Sequence, residues 1–235
     1  MSHFTEIKSL PGQATLRQFD IFRELTAAER DDVGALMRLR RYSANTYVIS
    51  AETDCRDVYF ILSGRIRTCS ISANGKQINY ADLSSGEMFG EFAAIDQQGR
   101  SADCQVVQES MLASISGKCF LNVLDRYPVV KDAVMRRVVS IVRKQMERVS
   151  EFTFYNVNQR VRFELIRLGN EAAFGDDVVR LESVPTHCEI AQKIGTHREA
   201  VTRELSSLQS KGLITWNRNE HVIHDLDELA SYAHK

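Results

Sequence analysis

The hydrophobic rhythm of the chain changes three times, and each change predicts a different kind of structure. Between Arg40 and Ser116 the apolar residues come in short or alternating runs, such as Val58-Tyr59-Phe60-Ile61-Leu62 and Ile66-Arg67-Thr68-Cys69-Ser70-Ile71. That texture is the mark of strands. Gly64, Asn74-Gly75 and Ser84-Ser85-Gly86 interrupt it. Asn74-Gly75 predicts a tight hairpin, because both residues tolerate the positive φ that such a turn requires. Many short strands with turns of this kind predict a β-sandwich or jelly roll. Ahead of them lie a polar leader and a short helical patch around Leu25 to Met37.

The rhythm becomes helical past Pro128. From Lys131 to Thr153 there is neither Gly nor Pro, and Met135, Val138, Val142, Val149 and Phe152 recur in steps of three and four with Gln145 in the polar slot. Such a heptad seam predicts a long helix packed on its two-fold mate. An amphipathic helix lying on its own domain is the alternative. Arg136, Arg137, Arg143, Lys144 and Arg148 mostly fall off the seam, on the side expected to face water. A second helix is expected over Val157 to Asn170, then a turn-rich patch at Gly175-Asp176-Asp177, then two short helices and a strand pair.

Those two short helices carry the first candidate chemistry. Thr186-His187-Cys188-Glu189 reads as a capping box, Ile190, Ala191 and Ile194 supply an apolar face, and Gly195 ends the helix. Thr196-His197-Arg198-Glu199 reads as a second capping box, opening a helix through Val201, Leu205 and Leu208 to Lys211-Gly212. Two capped helices around a Gly turn make a helix-turn-helix, whose second helix enters the DNA major groove. Arg198, Glu199 and, a turn on, Arg203 are base-reading types: Arg suits guanine, and Glu suits the cytosine amino group. Glu199 and Glu204 are alternatively members of helix-surface pairs. Leu213 to Trp216 and His221 to His224 read as a β-hairpin wing.

Charge narrows the partners. The whole chain carries a net charge of −1, so DNA binding has to rest on a local motif. Residues 1–130 balance at −2, residues 131–160 at +4, and residues 161–235 at −3, while Lys193 to Lys211 alone balances at +2. With 235 residues there is room for two cores. No apolar run approaches the roughly 18 residues that cross a bilayer, and the first 16 residues hold no signal-peptide core. The expectation is a cytoplasmic protein. Its five cysteines are scattered and include no C-x-x-C pair, which fits reduced thiols better than disulfides or zinc. The six histidines show no metal-ligand spacing, and no nucleophile–base constellation is visible, so an enzyme is not expected.

The densest motif in the β region is Gly90-Glu91-Phe92-Ala93-Ala94-Ile95, followed after a polar loop by Arg100-Ser101-Ala102. A short helix opening at Gly90 offers backbone N–H groups to an anion. Arg100 suits bidentate phosphate binding, Ser101 adds a donor, and Glu91 suits a ribose hydroxyl. An internal Glu91–Arg100 salt bridge is the alternative.

On these residues the chain resembles the cyclic AMP receptor protein/FNR family of bacterial regulators, over nearly its whole length past Leu16. The resemblance implies an α+β homodimer with a cyclic-nucleotide-binding β-roll over 17–130, a dimerisation helix over 131–156 and a winged helix-turn-helix over 157–235. It implies that Glu91 takes the ribose 2′-hydroxyl, that Arg100 and Ser101 take the cyclic phosphate, and that the backbone of Gly90, Phe92 and Ala93 assists. Arg198, Glu199 and Arg203 match the family's readers of GTGA-type half-sites, and Thr186 would contact a phosphate. RNA polymerase is a partner implied in the same way. The chain also departs from relatives. No Cys precedes Cys55, unlike the iron–sulfur members, and the cassette is intact, unlike the haem members. Gln145-Met146 stands where a Thr-Ser pair reads adenine, which leaves cyclic AMP and cyclic GMP both open as effectors. A regulator that is constitutive or tuned to another ligand, and a cyclic-nucleotide-binding regulatory subunit, remain the rival readings.

Overall fold

A computed structural model of the chain describes residues 4–7, 11–72, 77–172, 178–181, 184–218 and 220–233. The chain forms two compact units, Met1–Ile141 and Val142–Lys235. The turns expected at Asn74-Gly75 and at Gly175-Asp176-Asp177 lie outside the described residues.

The first unit opens with β1 (Phe4–Ile7), α1 (Gln13–Leu16), a 3-10 turn (Asp20–Phe22) and α2 (Ala27–Gly34). The strands β2 (Arg38–Tyr42), β3 (Tyr47–Ile49), β4 (Val58–Ile71), β5 (Gln77–Leu83) and β6 (Met88–Phe89) follow. Then come the short helix α3 (Glu91–Asp96), β7 (Asp103–Ile115), α4 (Gly117–Arg126) and the long α5 (Pro128–Phe154). All seven strands join one antiparallel sheet in the order β1-β2-β7-β4-β5, with β3 on β7 and β6 on β4. The expected roll is present, as the α+β reading requires.

Its spine is the pair β4–β7, whose apolar residues split between two cores because successive side chains of a strand face opposite ways. Val58 and Phe60 of β4 join Ala113 and Ile115 of β7 in a core under the helices, with Phe19, Phe22, Phe120 and Val130. Tyr59 and Ile61 join Cys104, Val106 and Leu112 inside the roll, with Ile49, Ile66 and Phe89. A strand buried on both faces reads as one continuous apolar run, which is why Val58 to Leu62 shows no polar alternation. The rings of Phe19 and Phe22 each lie 5.3 Å from that of Phe60, so the N-terminal turns are seated directly on the sheet.

The second unit contains the last turns of α5, then α6 (Val157–Ala172), β8 (Val179–Arg180), α7 (His187–Ile194) and α8 (Arg198–Ser210). It ends with β9 (Ile214–Trp216), β10 (His221–Ile223) and α9 (Leu226–Ala233). Val161 and Leu165 of α6, Ile190 and Ile194 of α7, and Val201, Leu205 and Leu208 of α8 form its core with Ile214, Ile223 and Leu229. The wing is a sheet of order β8-β10-β9 rather than the expected pair. The strand β8 is only two residues long and has no period to read; α9 carries only Leu229 and Ala233 as buried residues.

Phe60 is fully buried between two aromatic neighbours. Phe60→Ala leaves a cavity that the sheet cannot close, and its expected cost is about 3–5 kcal/mol. Urea unfolding followed by circular dichroism should show the midpoint falling with little change of slope.

Candidate functional site

In the first unit the site grows from the end of β6. Met88 and Phe89 pair with Phe60 and Tyr59 of β4, and the Tyr59 and Phe89 rings stack at 5.1 Å. This fixes the chain where it turns into α3. Gly90 makes that turn at φ +85°, and a Cβ there would lie 2.9 Å from both Arg100 Nη1 and the Asp57 carbonyl. Only glycine fits without displacing Arg100. The helix stops at Gln97, at φ +60°, whose side chain donates to the Ala94 carbonyl at 2.5 Å and accepts from Arg56 at 2.6 Å.

That loop returns Arg100 to the cassette. Its Nη1 donates to the Gly90 carbonyl and its Nη2 to the Asp57 carbonyl, both at 2.9 Å. Arg100 is 9% exposed, and its Nε–H is buried without a hydrogen-bond partner among the described residues. Glu91, 4% exposed, points inward as well. Ala93 is buried, whereas the Phe92 side chain and Ser101 are exposed. The structure therefore brings Gly90, Glu91, Ala93 and Arg100 together and leaves Phe92 and Ser101 at the rim.

Glu91 does not close a simple ion pair with Arg100. Its carboxylate lies 3.6 Å from Arg137 Nε on α5, and Arg137 Nη2 donates to the Met88 carbonyl at 2.6 Å. Arg137 also faces Glu87 at 3.9 Å. Burial pushes the Glu91 carboxyl above its ordinary range, against the opposing pull of Arg137. Arg137 was expected on the solvated side of α5, as was Arg148, yet each is paired to an acidic residue and largely buried. Helical spacing alone separates seam from flank; it does not distinguish a flank facing water from one facing acid.

Of the expected seam, Met135, Val142, Val149 and Phe152 are exposed. Val139 and Met146 are exposed as well, so that Met135, Val139, Val142, Met146 and Val149 form a run in steps of four and three. Val138 and Gln145 are half-buried, with Gln145 beyond Ile141 in the second unit. Phe152 is not a plain seam residue. Its ring lies against the turn at Gly195, and the Arg160 guanidinium stands 5.0 Å from its centroid.

In the second unit, α7 has the expected capping box. The Glu189 amide donates to the Thr186 hydroxyl at 3.3 Å, and the Glu189 carboxylate accepts from the Thr186 amide at 2.8 Å. Gly195 closes the helix at φ +67°. The second capping box does not form: α8 starts one residue later than expected, with His197 at its N-cap and no side-chain cap. Arg198, Glu199 and Arg203 are exposed on one face of α8 and make no ion pair among the described residues. Glu204 is not a surface partner. It is buried and bonded to Arg162 of α6 at 2.6 Å. Thr202, not singled out by the sequence, lies exposed between Arg198 and Arg203, and its hydroxyl joins His187 Nδ1 at 2.8 Å. Its position one turn after Arg198 was the available signal.

Residues 39–127 match the model of the cyclic nucleotide-binding domain, and residues 159–232 match that of the Crp-like helix-turn-helix domain. The chain belongs to the CRP/FNR family of transcription regulators. Among curated relatives, the cAMP-activated global transcriptional regulator Vfr of Pseudomonas aeruginosa is 27% identical over 179 residues, covering 74% of this chain and 84% of its own. The cyclic AMP receptor protein of Thermus thermophilus is 26% identical over 157 residues, covering 67% and 70%. Among solved structures, a CooA mutant from Carboxydothermus hydrogenoformans superposes with a TM-score of 0.77 at 16% identity, over 97% of this chain and 98% of that one. The c-di-GMP-responsive regulator CLP of Xanthomonas campestris does so with a TM-score of 0.73 at 21% identity, over 85% and 99%. This CRP/FNR chain thus joins a cyclic-nucleotide-binding domain to a DNA-binding head. Relatives such as Vfr are named as transcriptional regulators. Among the described residues no helix is long and apolar enough to cross a membrane, and no group of three metal-ligating side chains occurs.

The Glu91–Arg137 pair makes stability depend on pH. A buried carboxyl with a raised folded-state pKa contributes stability below its unfolded value near 4.5, and that contribution is lost as pH rises through the folded value. Arg137 opposes the loss. Arg137→Met should therefore be nearly harmless at pH 4.5 and cost up to about 3 kcal/mol at pH 7, where Glu91 is left charged and unpaired. Urea titrations of both proteins at the two pH values measure the difference.

Proposed function

We propose that this regulator binds DNA as a homodimer when a cyclic nucleotide occupies the roll. The observation that carries the reading is the Nε–H of Arg100, a buried cationic donor with no partner among the described residues. Such a donor left unpaired costs about 1–3 kcal/mol, and a cyclic phosphate oxygen would satisfy it. Glu91 would accept from the ribose 2′-hydroxyl, with Arg137 as its standing counter-ion. Ser101 and the backbone of Gly90, Phe92 and Ala93 would complete the phosphate contacts, and Gln145 would meet the base. Cyclic AMP and cyclic GMP are the candidate effectors.

Homodimerisation is supported by the exposed stripe of Met135, Val139, Val142, Met146 and Val149. A second copy of α5 would cover it by heptad packing. Arg198, Glu199 and Arg203 would read GTGA-type half-sites in successive major grooves, about 34 Å apart, with Thr186 on a phosphate. The site of action is the cytoplasm, and RNA polymerase is the expected further partner. A cyclic dinucleotide is a competing effector, since one solved neighbour is described as responsive to c-di-GMP.

Calorimetric titration with cyclic AMP, cyclic GMP and cyclic di-GMP tests the sensor, with Arg100→Ala as control. One mononucleotide should bind, and the variant should bind it about 10- to 100-fold more weakly. Binding of the dinucleotide alone, or of none, would reject the cyclic-mononucleotide reading. Fluorescence anisotropy on GTGA-containing duplexes tests the head. Arg198→Ala should lose about 1–3 kcal/mol on the GTGA site and little on a scrambled duplex.

A further inference from the structure

The second unit buries a cluster of charge that DNA contact does not explain. Glu164 on α6 is completely buried, a position where a carboxylate is costly unless it is paired. Three cations meet it: Lys193 Nζ of α7 at 2.7 Å, Arg148 Nη2 of α5 at 3.6 Å, and Arg167, one turn along α6. Arg167 also bonds Glu151 of α5, and Arg148 Nη1 donates to the Lys193 carbonyl at 3.2 Å. Five charged side chains from three helices thus share one site. Beside it, the Phe152 ring fills the space over Gly195, where an added Cβ would lie 2.8 Å from the ring.

Net stability is a weak reason for such a cluster, because well-packed apolar residues of similar volume are often as stable or more so. What it does supply is position. An apolar contact allows neighbouring helices to slide, whereas a buried carboxylate met from three directions defines one arrangement. The residues it joins are informative. Arg148 and Glu151 flank Val149 at the end of the exposed apolar stripe, and α7 is the helix on which α8 packs through Ile190, Ile194, Val201 and Leu205.

We infer that Glu164 is a positioning residue for DNA reading, clamping α7 to the last turns of α5 so that the reading helix moves with the dimer stripe as one piece. The corner at Tyr155-Asn156, between α5 and α6, is then held rather than hinged. This inference rests on the DNA-reading proposal above. It concerns the spacing at which two heads are presented, which no single head determines.

The experiment uses the full-length protein with its bound nucleotide and a set of duplexes carrying two half-sites at spacings that differ by one base pair. Wild type should favour one spacing at least about tenfold over its neighbours, because one added base pair both shifts and rotates a half-site. In Lys193→Met and Glu164→Gln that ratio should fall to within about twofold, while affinity for a single half-site and for the nucleotide stays near wild type. Lys193→Arg, which keeps the charge, should restore the ratio. Variants that retain the wild-type ratio, or that lose affinity for every duplex and the single half-site in parallel, overturn the inference and leave the cluster a scaffold. Wild type with no spacing preference overturns it too. Absence of DNA binding by wild type instead overturns the function proposal, and the inference with it.

Discussion

A charge taken out of water must be met by another, and in this chain that requirement decides where several helices sit. Glu91 meets Arg137, Glu164 meets Arg148, Arg167 and Lys193, and Arg162 meets Glu204. Apolar contacts supply most of the free energy of both cores, since burial is roughly proportional to area. They are tolerant of small shifts. The ionic contacts are directional, and all of these but Glu164–Arg167, which lies within α6, join different elements.

The helix α5 shows how one sequence can satisfy both demands. Arg137 and Arg148 are separated by three turns, so they project from nearly the same face. Met135, Val139, Val142, Met146 and Val149 lie on the opposite face. The cationic face is held by acids of the chain's own units, Glu91 in the first and Glu164 in the second. That leaves the apolar face outward, a contiguous surface of the kind that marks an interaction site. Val130 and Val134 anchor the start of the helix in the first core, and further along the cations, not the stripe, hold it to its own chain.

What was legible in the sequence was whatever is local. Alternation and turn residues carried the roll, the run without Gly or Pro carried α5, and Thr186, Glu189 and Gly195 carried the first helix of the reading head. Short elements with little period, β8 and α9, were not legible. Thr196-Glu199 matched the capping-box pattern without forming it, because α8 begins at Arg198 and leaves Thr196 outside the cap position. In the cassette, residue types announced Gly90, Glu91 and Arg100. The partner of Glu91 was hidden, because Arg137 lies 46 positions away and only the fold brings it close. The partner of Glu204 was hidden for the same reason: Arg162 is on another helix.

The pairing of Glu91 with Arg137 bears on how occupancy of the roll could be felt elsewhere. A ligand shifts a conformational equilibrium only by the difference in its affinity for the two states. A hydroxyl placed on Glu91 would compete with Arg137 for the carboxylate, and Arg137 belongs to α5. Phosphate on Arg100 would act differently, since Arg100 is tied to the carbonyls of Gly90 and Asp57 within the roll. A phosphate contact would thus be suited to supplying affinity, while a ribose contact would be the one that reaches the long helix. On the proposed function, affinity and coupling would then reside in different halves of the same ligand.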